Sequence, residues 1–375
     1  MTASHHLHGH LIGQPGSRDQ LNTPALIVDL DALRANIAAM AAFARAAGVA
    51  LRPHAKTHKS ADIARLQIAA GAAGLCCAKL GEAEALAAEG IGSILLTSPI
   101  VTPPAIERLI ALNDRLPHLT VVADHPAAVA ALATANTGRP IRVLVDIDPG
   151  IHRTGTASAQ DAVALARQIA DAPCLTYGGV QFYCGSQQHI ATFAERRAAI
   201  ADRTAYLQTV IAALTDAGLA PPVVTGGGTG THRIDAELGV LTELQVGSYA
   251  FMDREYHDCD LGTSFATALM VDTRVISANR PGMATLDAGL KSFATEAGVP
   301  VFVAGAPDGG TYRFMGDEHG AVTVPAGATT PPLGTRLTAM TPHCDPTVNL
   351  HDAYHVVQGD TLVAIWPITA RGRSA

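Results

Sequence analysis

The stretch IRVLVDIDPGIHRTG, residues 141–155, is a near-continuous apolar run that ends in two aspartates and breaks at Pro149-Gly150. A short apolar run without strict alternation is a strand covered on both faces, the habit of parallel sheets. The same unit recurs on either side of it. Strands are predicted at 49–54 (VALRPH), 74–79 (GLCCAK), 93–98 (SILLTS), 119–124 (LTVVAD), 141–148, 176–183 (TYGGVQFY), 222–227 (PVVTGG) and 243–249 (ELQVGSY). Most segments between them carry Ala and Leu at helical spacing, as in AAIADRTAYLQTVIAALTDAG at 198–218. Eight such β-then-α units predict an α/β fold, a (β/α)8 TIM-like barrel. Lys56, Ser98, Asp124, Asp148, Tyr183, Gly226 to Gly228 and Ser248 fall at or just past the C-terminal strand ends. That is the face on which barrels build their sites. Chance supplies such a pattern at one or two strands, not at six.

With 375 residues the chain is too long for one typical core and suits two. Helical alternation stops near Gly262, and TALMVDTRVISANRPGMATLDAG and GTRLTAMTPHC read as strands with Gly/Pro turns. The expected division is a flexible tail at 1–21, a barrel at 22–261 and a mainly β domain at 262–375. The early strand PALIVDL (24–30) suits either domain. The chain is 48% hydrophobic but only 4% aromatic, so its core is mostly Ala, Leu, Val and Ile. A net charge of −7 gives no reason to expect nucleic acid or an anionic membrane as partner. No apolar run reaches the ~18–20 residues of a membrane span, and the N-terminus lacks the pattern of a signal peptide. The six cysteines show no CxxC spacing, so a reduced, cytoplasmic compartment is expected. His5, His6, His8 and His10 fall in the tail, where a solvated segment is favoured over a metal site.

Three clusters carry chemistry. TGGGTGTH (225–232) follows an apolar strand, and its glycines let backbone N–H groups wrap a phosphate. It lacks the Lys-Ser/Thr of a Walker A loop and the spacing of a dinucleotide fingerprint. VGSY (246–249) ends the next strand and can share the same phosphate. LRPHAKTHKS (51–60) sets Lys56 just beyond the first strand, with Lys59 and His58 read as the polar first turn of the next helix and His54 left open. A lysine opposite a phosphate cup suggests pyridoxal phosphate, which also needs a group at its ring nitrogen, here Arg153. TPHCDPTVNLHD (341–352) holds the third cluster. If LTAMTPHCD is extended, His343 and Asp345 share one face, a weak pair for a part-hydrated Mn²⁺ or Mg²⁺.

LRPHAKTHK, GVQFYCGSQQH, TGGGTG, ELQVGSYAFMD, LDAGLKS, DEHG, HCDPTVNLHD and WPITARG occur in order from about residue 22 to the C-terminus. Together they resemble the D-threonine and β-hydroxy-D-aspartate aldolases, in the D-serine dehydratase-like branch of fold type III pyridoxal enzymes. The resemblance implies an alanine racemase-like barrel, a second β domain and a homodimer. It implies Lys56 as the cofactor lysine. Arg153, Tyr183, Thr225, Gly227, Gly228, Gly247, Ser248 and Tyr249 match segments that line the cofactor. It also implies His343 and Asp345 as the metal pair, and His189 as the histidine near the substrate hydroxyl. Three positions depart from the usual pattern: Ala78 stands where glutamine is usual, Thr154 where cysteine is, and Cys184 where histidine is frequent. They bear on substrate identity more than on reaction type.

The implied reaction is metal-assisted retro-aldol cleavage of a D-β-hydroxy-α-amino acid to glycine and an aldehyde. His189 or a metal-bound water acts as general base. The rival within enzymes is a dehydratase giving a keto acid and ammonia. Its branch has His and Cys two apart, so Asp345 favours the aldolase. A non-catalytic pyridoxal phosphate carrier is a single barrel, which the second domain argues against. A racemase has no use for the metal pair.

Overall fold

The computed structural model describes residues 3–375, and all eight predicted barrel strands are present, several shorter than their apolar runs. After Ala25–Asp29 (β1) come Ala50–Leu51 (β2), Leu75–Cys77 (β3), Ser93–Leu96 (β4), His118–Ala123 (β5), Ile141–Asp146 (β6), Leu175–Phe182 (β7), Val224–Gly226 (β8) and Glu243–Leu244 (β9). They pair in parallel in the order β2-β9-β8-β7-β6-β5-β4-β3. The ring closes just past β2, where Cys76 N donates to Pro53 O at 2.8 Å and Ala73 N to Leu51 O at 2.7 Å.

Helix Leu30–Ala47 shows how the outer layer forms. Asp29 caps it, accepting from Asp31 N at 3.0 Å and Ala32 N at 2.9 Å, and Gly48 ends it at φ +68°. Leu30, Leu33, Ile37, Met40 and Ala44 recur every three or four residues and are buried, each large one stabilising by about 1.5–3 kcal/mol. Inside the barrel, Cys76, Leu95, Val122 and Leu144 form a small apolar layer. The rest of the interior is a hydrogen-bonded polar chain. Gln245 Nε2 donates to Gln181 Oε1 (3.2 Å) and Thr225 Oγ1 (3.1 Å); Thr225 donates to Glu243 Oε1 (2.9 Å), and the other oxygen of Glu243 pairs with Arg52. Buried polar groups persist only when partnered in this way.

The second domain contains Leu269–Arg280 (β10), Met283–Leu286 (β11), Val301–Ala304 (β12), Thr311–Phe314 (β13), Gly320–Thr323 (β14), Arg336–Met340 (β15), Ala353–Gln358 (β16) and Thr361–Pro367 (β17). Its sheet runs β13-β14-β11-β10-β1-β16-β17, with β15 on β10 and β12 on β15. The strand that suited either domain thus pairs here, antiparallel to β10 and parallel to β16. Its Ala25, Leu26, Ile27 and Val28 are all buried, which an interior strand provides. The chain crosses to the barrel at Asp29-Leu30, not at residue 22.

The N-terminal segment also differs from expectation. Residues 3–21 pack on the β domain. Leu11 and Leu21 join a buried cluster with Ile27, Met270 and Val357, and Arg18 makes a two-point ion pair with Asp272 at 2.8 and 2.9 Å. His8 Nδ1 lies 2.9 Å from His355 Nε2. Their partners lie hundreds of residues away, so no local pattern marked the segment as docked. Among the described residues no helix is long and apolar enough to cross a membrane.

Candidate active site

Lys56 sits in a single 3-10 turn, Ala55–Thr57, directly after the barrel's first strand. His54 fixes that turn. Its Nδ1 accepts from Lys56 N at 3.4 Å, and its Nε2 lies 3.1 Å from Thr97 Oγ1, whose proton goes to Cys77 O. The imidazole is therefore neutral and protonated on Nε2, and burial, then the charge of Lys56, lowers its pKa to about 3. The Lys56 ammonium donates to Asp345 Oδ2. Burial disfavours that charge, but Asp345 and then Tyr183 outweigh it and hold the lysine above its ordinary value. Reciprocally, burial pushes Asp345 up, yet Lys56 and His343 bring it down to about 2.

His58 and Lys59 are not a solvated helix turn. His58 is fully buried beside Gln67, and Tyr354 donates to its carbonyl at 2.6 Å. Lys59 adopts φ +48° and forms a buried ion pair with Glu82. The next helix begins only at Ala61, so the chain between turn and helix folds inward, and burying that lysine demands a carboxylate.

A cavity of about 270 Å³ opens at the C-terminal end of the barrel. Lys56, Arg153, Tyr183, Gly228, Gly247 and Ser248 line it, with Thr57, Ala78, Thr97, Ser98, Gln181, Thr229, Gln245 and Tyr256. Thr225, Gly227 and Tyr249 do not. Thr225 lies beneath the floor on Glu243; Gly227, at φ +69°, faces Asp235; the Tyr249 hydroxyl accepts from Gln67 Nε2 at 3.1 Å. At Gly247 a Cβ would fall 2.6 Å from Thr57 Oγ1, so only glycine fits against the lysine turn. Arg153 lies with its guanidinium carbon 5.6 Å from the Tyr183 ring centre. Its loop is anchored by Asp148, whose Oδ1 accepts from Gly150, Ile151 and His152 N–H at 2.8–3.0 Å.

The second domain contributes His343, Asp345 and Glu296 to the mouth. β15 stops at Met340, and His343 precedes a short helix, Cys344–Val348, so the expected extended alternation does not hold. A turn, not a pleat, brings Asp345 onto Lys56. Asp253 organises it: one oxygen accepts from Cys344 N at 2.9 Å, the other from Tyr256 N at 3.2 Å. Burial lifts Asp253 to about 6. His343 Nδ1 lies 2.8 Å from Glu296 Oε1 and 3.7 Å from Glu255 Oε2. His189 packs on Tyr256 with ring centres 4.5 Å apart, 4.0 Å from Glu255 Oε2. Burial lowers its pKa, against the opposing charge of Glu255. Among the described residues no group of three or more His, Cys, Asp or Glu is gathered as a metal cage.

Sequence reasoning missed Thr57, Thr97, Gln181, Thr229, Gln245 and Tyr256 as cavity lining, and Asp253 as the organiser. Thr57, Gln181, Thr229 and Gln245 stood inside the quoted motifs, so nearness to a strand end was a usable signal. Nothing local marked Asp253, because its role is to join two segments 91 residues apart.

Residues 28–255 match the family described as Alanine racemase, N-terminal domain, and residues 268–357 match a Putative serine dehydratase domain. The chain is 39% identical over 371 residues to a 3-hydroxy-D-aspartate aldolase of Paracoccus denitrificans (strain Pd 1222), covering 96% of this chain and 95% of that protein. It is 41% identical over 366 residues to a D-threonine aldolase of an Arthrobacter species, covering 96% of each. The solved structure of a D-threonine aldolase from Filomicrobium marinum superposes with TM-score 0.92 at 38% identity, over 95% of this chain and 97% of that one.

Proposed function

The chain belongs to the alanine racemase-like family that includes the D-threonine and 3-hydroxy-D-aspartate aldolases, and from that premise we propose how its own residues work. It is an aldehyde-lyase that cleaves D-β-hydroxy-α-amino acids to glycine and an aldehyde. The observation carrying the site assignment is the Lys56 ammonium held by Asp345 in a cavity whose other wall is the glycine loop.

The family implies pyridoxal phosphate, and the residues present suit it. Lys56 would be the attachment point, Arg153 and Tyr183 would face the ring, and Gly247 and Ser248 would hold the phosphate, with Gly228 lining that end while its own amide is given to Thr231. Gly247, where a Cβ would fall 2.6 Å from Thr57 Oγ1, keeps a bare backbone at the cavity wall, which suits a phosphate there. A divalent ion, Mn²⁺ or Mg²⁺, would be held by His343 and Asp345. One observation supports this: Glu296 takes the Nδ1 proton of His343, which leaves Nε2 as a ligand. When bound, the cofactor supplies the electron sink for breaking Cα–Cβ, and the ion lowers the pKa of the substrate hydroxyl.

The chain supplies the rest. His189, kept neutral by burial at the rim, accepts the β-hydroxyl proton as general base. Tyr256 and Glu255 orient its ring. Tyr183 and Tyr256 narrow the cavity and exclude water around the reacting carbon. Ala78, small where a glutamine is usual, leaves room in the lining for the substrate's side chain.

We further propose a homodimer. The edge strand β12 exposes Val301 and Val303, 40% and 47% accessible, on one face, a surface that a second copy would cover. All six cysteines are free, which supports a reducing compartment, the cytoplasm. The match of residues 268–357 to a Putative serine dehydratase domain keeps β-elimination as the rival. Incubation with D-threonine, D-serine and 3-hydroxy-D-aspartate, with and without chelator, separates the two. Glycine plus aldehyde, lost on chelation, is expected; ammonia plus keto acid would overturn the aldolase.

A further inference from the structure

The glycine loop leans on a side chain that never reaches the cavity. Gln188 is fully buried, and its carboxamide is committed on both sides. Oε1 accepts from Gly230 N at 3.1 Å; Nε2 donates to Cys184 O at 3.2 Å and to Thr231 Oγ1 at 3.1 Å. Thr231 Oγ1 also accepts from Gly228 N at 3.1 Å and sends its own proton to Asp235 Oδ2 at 2.6 Å. The hydroxyl is thereby saturated, with one proton given and two received.

The glycines are cut to fit this strut. A Cβ on Gly228 would fall 2.5 Å from Gln188 Oε1, and one on Gly230 would fall 2.0 Å from the Gln188 carbonyl oxygen. Two of the loop's glycines therefore answer to Gln188, in addition to any ligand. Gly228 and Thr229 line the cavity. The amides of Gly228 and Gly230, on either side of Thr229 N, are both spent on the strut. Gln188 also lies between Tyr183, on the cavity wall, and the rim histidine His189, and its bond to Cys184 O ties it to that same turn.

We propose that Gln188 is the positioning residue of the cofactor cup. It locks the loop in the shape that receives a phosphate ester and ties that shape to the segment bearing Tyr183 and His189. This rests on the cavity being a pyridoxal phosphate site. Gln188→Leu removes all three bonds while filling the volume.

The test follows cofactor rather than turnover. In the holoenzyme, release of pyridoxal phosphate into an excess of scavenger should be about ten-fold faster or more in Gln188→Leu, and the 31P resonance of the bound cofactor should move. Thr231→Val, which loses the shared hydroxyl but keeps its shape, should behave alike, and Thr231→Ser should restore wild-type release. Thr231→Val and Thr231→Ser carry the test if Gln188→Leu fails to fold. Wild-type release and an unmoved 31P resonance in Thr231→Val, with only the melting temperature lowered, would overturn the proposal. A wild-type protein that takes up no pyridoxal phosphate would instead overturn the reading of the cavity.

Discussion

Glu82→Gln should strand the buried ammonium of Lys59. The two side chains are 10% and 4% exposed, and Lys59 Nζ donates to Glu82 Oε1. The other carboxylate oxygen accepts from Ala78 N at 2.9 Å and Lys79 N at 3.2 Å, closing the N-terminus of helix Leu80–Ala88. A carboxamide keeps the shape but has one oxygen for the work of two, and its NH₂ must face either the ammonium or the two backbone amides. Removing one member of a buried pair costs roughly 3–5 kcal/mol. With an unfolding entropy of about 2.1 cal/mol/K per residue, a chain of this length loses about 0.8 kcal/mol per degree at its midpoint. The expected drop in Tm is then about 4–6 °C if the chain unfolds as one unit. Calorimetry and urea titration of the wild type, Glu82→Gln, and Glu82→Gln with Lys59→Met provide the measurement. The double variant should recover most of the loss, because a buried pair as a whole contributes little against an apolar replacement. A loss below about 1 kcal/mol, the level of an exposed pair, would mean that Lys59 is solvated and that the inward fold of residues 58–60 is wrong.

Lys56→Ala should lose the visible absorbance of lysine-linked cofactor while Lys59→Ala retains it, and the reverse result would move the assignment to Lys59. Asp345→Asn should make turnover insensitive to added Mn²⁺. Its Mn²⁺ affinity should fall at least as far as the ~10–100-fold seen when outer partners of a ligand are removed; calorimetric titration with Mn²⁺ reads this. Asp235 has its pKa raised by burial to about 7, against the Thr231 hydrogen bond, so the folded state resists its ionisation. Its penalty grows as pH rises from about 4 and levels off above about 7. Asp235→Asn keeps an acceptor for Thr231 and should therefore gain stability over the wild type across that window; parallel melts at pH 4.5 and 8 that show no widening would refute it.

Legibility followed the range of the interaction. Each barrel strand carries its burial in its own composition, so IRVLVDID could be read alone, and polar residues at strand ends marked the mouth. Lys56 was singled out because a strand end is a local property. The resemblance puts Thr225 in a segment that lines the cofactor; strand β8 extends through it and turns its hydroxyl onto Glu243. His343 and Asp345 were paired by a pleat that is not there; a capped turn held by Asp253 does the work. The N-terminal segment looked like tail because it is rich in histidine and glycine, while Leu11, Leu21 and Arg18 pack against Met270, Val357 and Asp272.

Sequence by itself determined the barrel, the second β domain and the aldolase family, because periodicity and ordered motifs are written in neighbouring residues. Tertiary structure alone decided which motif residues face the cavity and which stand behind it. It also decided that Lys59 is a buried structural ion while Lys56 meets the mouth, and that Gln188 stands behind the glycine loop. Those choices depend on where a charge or amide finds its partner once distant segments meet, and burial without a partner costs more than a folded chain can spare.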